Sequence, residues 1–378
     1  MDKNILKQFD KAWREPARTV SELKEASGKK AIGMVLTDAP EELIHAAGAI
    51  PVAALAWEVA FQHADRHLQG FACSYSRSVI ELIERGEYDF LDGLIVPYAC
   101  DTTRCMDLIL RYMDKFEFYD CVRIPKRVSA DGVRKYYRAE LERVGKSLAK
   151  FTGQEITGER LSGSIRSYNR VRSLLQKFRD ALQKGEDGIS PSECLSAVRA
   201  AMILLPEEIS PLLERAVESF SLSGSKANGG PGVVVAGKLP QPPGLIDVIT
   251  NAGLRVLEDH LVVGGRWVSA GASEDGDPWK ALVERQLDRL PFAGIWDRRS
   301  TRAEYLIERI KALGADGAVF LVQKFCEPAE MDYPGIKEEL EANDIPLLSI
   351  ETDHSQASLE AIKTRVEAFA EMLMDRSS

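Results

Sequence analysis

Asp92–Asp101 reads DGLIVPYACD, and Asp316–Pro328 reads DGAVFLVQKFCEP. In both, Asp-Gly opens an apolar run of strand length, and the run delivers a cysteine followed at once by an acid. Short runs rich in Val, Ile, Leu and Phe, bounded by turn residues, are typical of strands buried on both faces of a parallel sheet. Each cysteine then stands before a candidate helix N-terminus. Open α/β sheets hold their ligands outside the carboxyl ends of the strands, so Cys100 and Cys326 fall where ligands are held. A third cysteine, Cys73 in ACSYSR, opens another helix. A thiolate so placed can bind a metal or an iron–sulfur cluster, whereas a cysteine inside a strand usually packs.

Strands and helices alternate around the first run. AIGMVL, IPVAAL and LDGLIVPY read as strands, separated by the helices DAPEELIHAAG and CSYSRSVIELIERG and followed by DTTRCMDLILRYMDKF. Such alternation implies right-handed βαβ crossovers and a parallel sheet. From residue 131 to about 222 the pattern turns helical and highly charged, with Ser190 as an N-cap ahead of Pro191. GSKANGGPG (224–232) has a linker composition. Beyond it the α/β pattern returns and ends in an amphipathic helix that Ser355 is placed to cap. GMVLTDAPEELIHAAGAIPV and GVVVAGKLPQPPGLIDVITNAGLRV share one order: strand, proline-bearing loop, helix, Ala-Gly, strand. The expected fold is therefore α/β. Two flavodoxin-like parallel-sheet lobes of similar topology (1–130 and 223–378) enclose a helical insert (131–222). Cys100 and Cys326 would stand on opposing walls of the cleft between the lobes.

Bulk properties exclude several classes. At 378 residues, 45% hydrophobic and 28% charged, the chain is an ordinary globular protein. A net charge of −9 without a basic stripe argues against nucleic acid. The longest apolar stretch, AAGAIPVAALAW, carries Pro51 and is too short to span a bilayer, so no membrane partner is expected. The amphipathic start, MDKNILKQFDKAW, is not a secretory signal, and six cysteines in such a chain point to reduced thiols in the cytoplasm. GASEDGD (271–277) lacks the Lys-Ser/Thr of a P-loop, and GGPG precedes a strand, the wrong order for a dinucleotide fingerprint. Both glycine runs read as turns.

CSYSR, LIVPYACDTTR, FLVQKFCEP and PEELIHAAG, in this order and spacing, resemble the 2-hydroxyacyl-CoA dehydratase and benzoyl-CoA reductase family, specifically one iron–sulfur subunit of its catalytic component. The resemblance covers most of the chain and is weakest through the helical insert. It implies one [4Fe-4S] cluster per chain, held by Cys73, Cys100 and Cys326, with one iron corner left free. Related chains often carry another cysteine near EDHLVVGGRW, which this chain lacks. The resemblance further implies a heterodimer with a homologous second subunit, an acyl-CoA substrate, and a separate ATP-hydrolysing iron–sulfur activator that injects single electrons. The implied reaction is ketyl-radical elimination of water from an (R)-2-hydroxyacyl-CoA to a 2-enoyl-CoA. The alternatives are ring reduction as part of a benzoyl-CoA reductase and, from another class, a non-catalytic α/β binding module whose cysteines remain thiols.

The remaining polar residues have plain readings beside sharper ones. Glu42 and His45 are the candidate catalytic groups, although Glu41 and Glu42 also suit a helix N-terminus and His45 a satisfied helix position. Asp101 suits a cap. Arg77 and Arg104, one turn beyond Cys73 and Cys100, could meet CoA phosphates, a partner chain or surface acids. Cys105, with Ile109 and Tyr112, reads as a buried stripe; Cys121 and Cys194 read as structural. Zinc usually shows C-x2-C or paired histidines, and neither pattern is present.

Overall fold

The computed structural model describes residues 2–36, 38–56, 59–184, 189–220, 229–289, 301–353 and 359–377. The expected cap at Ser355 and most of the 224–232 segment lie outside the described residues. The chain opens with α1 (Lys3–Arg14) and α2 (Pro16–Ser27). A first α/β unit follows: β1 (Ala31–Val35), α3 (Glu41–Ala46), β2 (Ile50–Ala54), α4 (Ser74–Glu84), β3 (Gly93–Pro97), α5 (Asp101–Met113) and β4 (Phe118–Val122). Next come α6 (Val133–Thr152), α7 (Gly158–Lys184), α8 (Pro191–Ala201) and α9 (Pro206–Phe220). The second α/β unit contains β5 (Gly232–Gly237), α10 (Leu245–Asn251), β6 (Arg255–His260), α11 (Gly265–Val268), α12 (Pro278–Asp288) and α13 (Thr301–Leu313). It ends with β7 (Gly317–Gln323), α14 (Glu327–Ala342), β8 (Leu347–Thr352) and α15 (Leu359–Ser377).

The two sheets have the same topology. Their strand orders are β2-β1-β3-β4 and β6-β5-β7-β8, with every neighbouring pair parallel. This is the two-lobed α/β architecture expected from the repeated pattern. The twin Asp-Gly pairs have one cause. The Asp92 carboxylate accepts the Ala31 N–H at 2.7 Å, closing the start of β3 onto β1. Asp316 does the same for Gly232 at 2.6 Å, closing β7 onto β5. The glycines that follow are needed for close approach. A Cβ on Gly93 would lie 2.8 Å from that of Phe118, and one on Gly317 2.9 Å from the Pro346 carbonyl.

In both sheets the order reverses between the first strand and the third, so the loops after β1 and β3, and after β5 and β7, part and leave a crevice. Cys100 follows Pro97 by three residues and Cys326 follows Gln323 by three. The lobes meet along these ends: the Ser74 N–H donates to the Lys324 carbonyl at 3.4 Å, and the Gln323 amide donates to Ser74 Oγ.

Helix α7 ties the lobes together. Leu161, Ile165, Tyr168, Arg172, Leu175 and Arg179 recur at helical spacing along its buried stripe. Arg172 reaches Glu41 and Glu42 of the first lobe, and Arg179 reaches Asp259 of the second at 2.7 Å. Helix α12, although it follows β6, packs Ala281, Leu282 and Val283 into the core beside β1, α3 and α6. The Ser190 cap is present: Glu193 N–H donates to Ser190 Oγ at 3.2 Å, and Ser190 N–H to the Glu193 carboxylate at 2.7 Å.

One expectation is corrected. Cys105 is exposed, and so are Leu108 (62%) and Tyr112 (91%). Helix α5 buries Thr103, Met106, Asp107 and Leu110 instead. The stripe is displaced because Asp107 can go inward: its carboxylate accepts from Tyr98 and Tyr119 hydroxyls at 2.8 and 2.9 Å and from Arg111 Nε at 3.0 Å. A buried acid so satisfied pulls its own face of the helix to the core, and the cysteine face turns to solvent.

Candidate functional site

Each of the three singled-out cysteines is the N-cap of a helix: Cys73 of α4, Cys100 of α5, Cys326 of α14. Free N–H groups and the positive end of the helix dipole therefore face each sulfur. Cys73 and Cys326 are buried and Cys100 is half-buried. Cys73 of the first lobe and Cys326 of the second face each other closely enough for each thiol to shift the other's ionisation. Cys100 sits on the same side, backed by Thr103: Thr103 Oγ1 accepts the Cys100 N–H at 3.0 Å and lies 3.7 Å from its sulfur.

At the end of β5, buried Lys238 donates from Nζ to Cys326 Sγ at 3.2 Å. Burial works against its charge, and Cys326, Cys73 and Cys100 overcome it, holding the ammonium above the ordinary lysine range. The Cys326 thiol is pushed down by its neighbour Cys73, then by the Lys238 ammonium and the Ala329 N–H, against burial. Cys73, facing Cys326 and itself buried, is pushed up. Lys126 donates to the Ala99 carbonyl beside Cys100. Across the cleft, buried Asp38 in the loop after β1 accepts from Arg266 of α11 at 2.8 Å, and Arg289 lies 4.0 Å away.

These residues fit an anionic sulfur-bound group. Three thiols on helix N-termini, with a buried ammonium whose hydrogen bond goes to one of the sulfurs, make a soft, electropositive pocket. Among the described residues no three His, Cys, Asp or Glu side chains are gathered tightly enough for a single ion. A cubane carries its ligands on separate irons, so its sulfurs stand wider apart than those around one zinc. A mostly apolar chamber lies on the second-lobe side of Lys238, lined by Val262, Tyr305, Leu306, Phe320 and Ile336.

The loop that delivers Cys73 is held by one carboxylate. Glu81 of α4 is buried and accepts the N–H groups of Gln62, His63 and Ala64 at 2.9, 2.7 and 2.9 Å, with Arg85 Nε at 2.9 Å. Burial opposes its ionisation, but the Ala64 N–H, the His63 ring and the other donors win and hold it far below its ordinary 4.5. A depressed carboxylate stabilises the fold above its unfolded value and loses that contribution as pH falls. Glu81→Gln should cost about 1–3 kcal/mol near neutral pH. It should also flatten the fall of urea stability below about pH 4.5; a variant as steep as wild type there would contradict this role.

The other candidates have these surroundings. Glu42 is fully buried, with Arg172 Nη2 at 2.8 Å and Arg285 Nε at 3.4 Å from one carboxylate oxygen. Glu41 accepts from the same two guanidiniums at 3.1 and 2.9 Å. His45 Nδ1 lies 2.9 Å from Ser164 Oγ, and its Nε2 3.4 Å from Glu207. Arg77 braces the Cys73 loop through Asp65 at 2.5 Å and the Gly70 carbonyl at 3.1 Å. Asp101 and Arg104 are exposed on α5. Cys121 and Cys194 are buried, and burial raises both thiols, Cys194 to about 12. Sequence reasoning missed Lys238, Asp38 and Arg266. The strand-end rule that found the cysteines also points to Lys238, which directly follows VVVAG.

The 2-hydroxyglutaryl-CoA dehydratase, D-component profile matches residues 36–373. The chain is similar to the (R)-2-hydroxyglutaryl-CoA dehydratase subunit beta of Acidaminococcus fermentans, 29% identical across 98% of this chain and 99% of that one. It is 26% identical to the (R)-phenyllactyl-CoA dehydratase beta subunit of Clostridium sporogenes, across 97% of each chain. It is also 26% identical to a benzoyl-CoA reductase subunit of Thauera aromatica, across 93% of this chain and 92% of that one. Among the described residues no helix is long and apolar enough to cross a membrane.

Proposed function

The chain belongs to the 2-hydroxyglutaryl-CoA dehydratase D-component family and is an enzyme subunit of the dehydratase or reductase kind; from that premise we propose that it is the [4Fe-4S] subunit of an (R)-2-hydroxyacyl-CoA dehydratase. What supports this reading most is that Cys73, Cys100 and Cys326 each cap a helix N-terminus and all three act on the buried Lys238 ammonium. These three thiolates would hold the cluster. When bound, it supplies low-potential single-electron chemistry, the kind that removes water from a 2-hydroxyacyl thioester to leave a 2-enoyl thioester. Buried Cys73 and Cys326 keep water from their side, while half-buried Cys100 marks the accessible one. Glu42 is engaged by Arg172 and Arg285 and is assigned no proton transfer.

The partners are a homologous second catalytic subunit, in a heterodimer, and an ATP-hydrolysing activator, all in the cytoplasm. Exposed apolar side chains support a partner surface: Phe71 two residues before Cys73, Met331 five after Cys326, and Leu108 and Tyr112 on α5. Ring reduction by a benzoyl-CoA reductase remains the second reading, since that relative is as similar as the phenyllactyl-CoA dehydratase one. The test is anaerobic turnover by the purified complex with activator and ATP, offered lactoyl-, 2-hydroxyglutaryl-, 2-hydroxyisocaproyl- and benzoyl-CoA. Formation of a 2-enoyl-CoA is expected. Consumption of benzoyl-CoA alone would establish the second reading. A colourless protein with freely alkylated thiols and no turnover would make the chain a binding module.

A further inference from the structure

We propose that Lys238 is the charge-setting residue of the sulfur pocket: its buried ammonium, donated to the Cys326 sulfur, raises the reduction potential of the cluster this chain holds. The proposal rests on the cluster reading above.

Lys238 is fixed from both sides. Gly237 before it has φ +128° and passes so close to β7 that a Cβ would lie 2.2 Å from the Leu321 carbonyl oxygen. Only glycine allows the end of β5 to turn there. The Val262 N–H donates to the Lys238 carbonyl at 3.0 Å, anchoring the backbone. From this anchor the side chain runs inward until Nζ stands 3.2 Å from Cys326 Sγ, and only 6% of the residue is exposed. An ammonium taken out of water is costly unless an anion faces it, so this placement needs negative charge on the sulfur side.

A [4Fe-4S]2+ core with three thiolates and a neutral fourth ligand carries −1, and one added electron makes it −2. A fixed positive charge within hydrogen-bond reach of a ligand sulfur favours the more negative state, and a buried position strengthens the effect. Lys126 provides a contrast in the same pocket. Its ammonium goes to the Ala99 carbonyl rather than to a sulfur, so its influence should be smaller.

The experiment is a mediator titration with dithionite, followed by the electron paramagnetic resonance signal of the reduced cluster. It compares cluster-loaded wild type, K238M, K238Q, K238R and K126M, with iron measured in each. K238M and K238Q should shift the one-electron equilibrium at least about tenfold toward the oxidised state, about 59 mV more negative. K238R and K126M should shift it less than threefold. Iron lost from K238M and K238Q but kept by K238R would support the same claim, because the variant that keeps the positive charge would keep the cluster. Full iron with an unshifted potential in K238M and K238Q would overturn it, as would iron lost from all three while circular dichroism shows them folded. A wild type without iron would remove the cluster reading and this proposal together. A wild type with about four irons, whose potential ignores residue 238, would remove only the proposal.

Discussion

Cys326→Ser is expected to lower iron retained against a chelator at least about tenfold while the chain stays folded, because on the proposed cluster assignment a hydroxyl would replace one of three soft thiolate donors. Cys326 is buried at the N-cap of α14, and it takes both the Lys238 ammonium and the Ala329 N–H. Cys73→Ser and Cys100→Ser should behave alike. Cys105→Ser and Cys194→Ser should keep wild-type iron, since Cys105 points to solvent and Cys194 is a buried thiol of α8. Iron and sulfide assays on the five variants, purified anaerobically side by side, check this. Equal loss from Cys105→Ser, or full iron in Cys326→Ser, would contradict the ligand assignment.

Arg285→Met should be the most destabilising single change outside the cysteines, by about 3–5 kcal/mol in urea unfolding. Arg285 is fully buried on α12 and joins Glu41 and Glu42 of α3 at 2.9 and 3.4 Å, with the Ala270 carbonyl at 3.0 Å. Arg172 of α7 completes the group. Two carboxylates facing two guanidiniums are balanced; removing one cation leaves an uncompensated charge away from water. Because α12 seats Leu282 in the first lobe's core, the loss should also loosen the joint between the lobes. Adding Glu41→Gln should recover part of the loss, a non-additivity that a double-mutant cycle measures. A cost under about 1 kcal/mol, or strict additivity, would contradict the balance argument.

What could be read in the sequence was what local chemistry dictates. The Asp-Gly pairs at 92 and 316, the strands they open and the cysteines three residues beyond need only strand-length apolar runs and helix starts. The Ser190 cap needs only Ser-Pro and an acid three residues on. The buried ions could not be read this way. Asp38 meets Arg266, Glu41 meets Arg285, and Arg179 meets Asp259, each across a long stretch of chain. Along the sequence every one of them looks like a solvated charge. Nothing in Pro278–Asp288 announces that it covers the first lobe, because its apolar stripe fits any core. The displaced face of α5 shows the same limit: the partners that admit Asp107 to the interior are tyrosines on other elements.

The most direct test is the iron and acid-labile sulfide content of the wild-type chain after anaerobic reconstitution, read with the spectrum of its reduced state. The result expected is about four irons and four sulfides per chain, lost when the three cysteines are alkylated first. Iron-free protein, or a single metal ion per chain unaffected by that alkylation, would contradict the convergence of Cys73, Cys100 and Cys326 on one cluster.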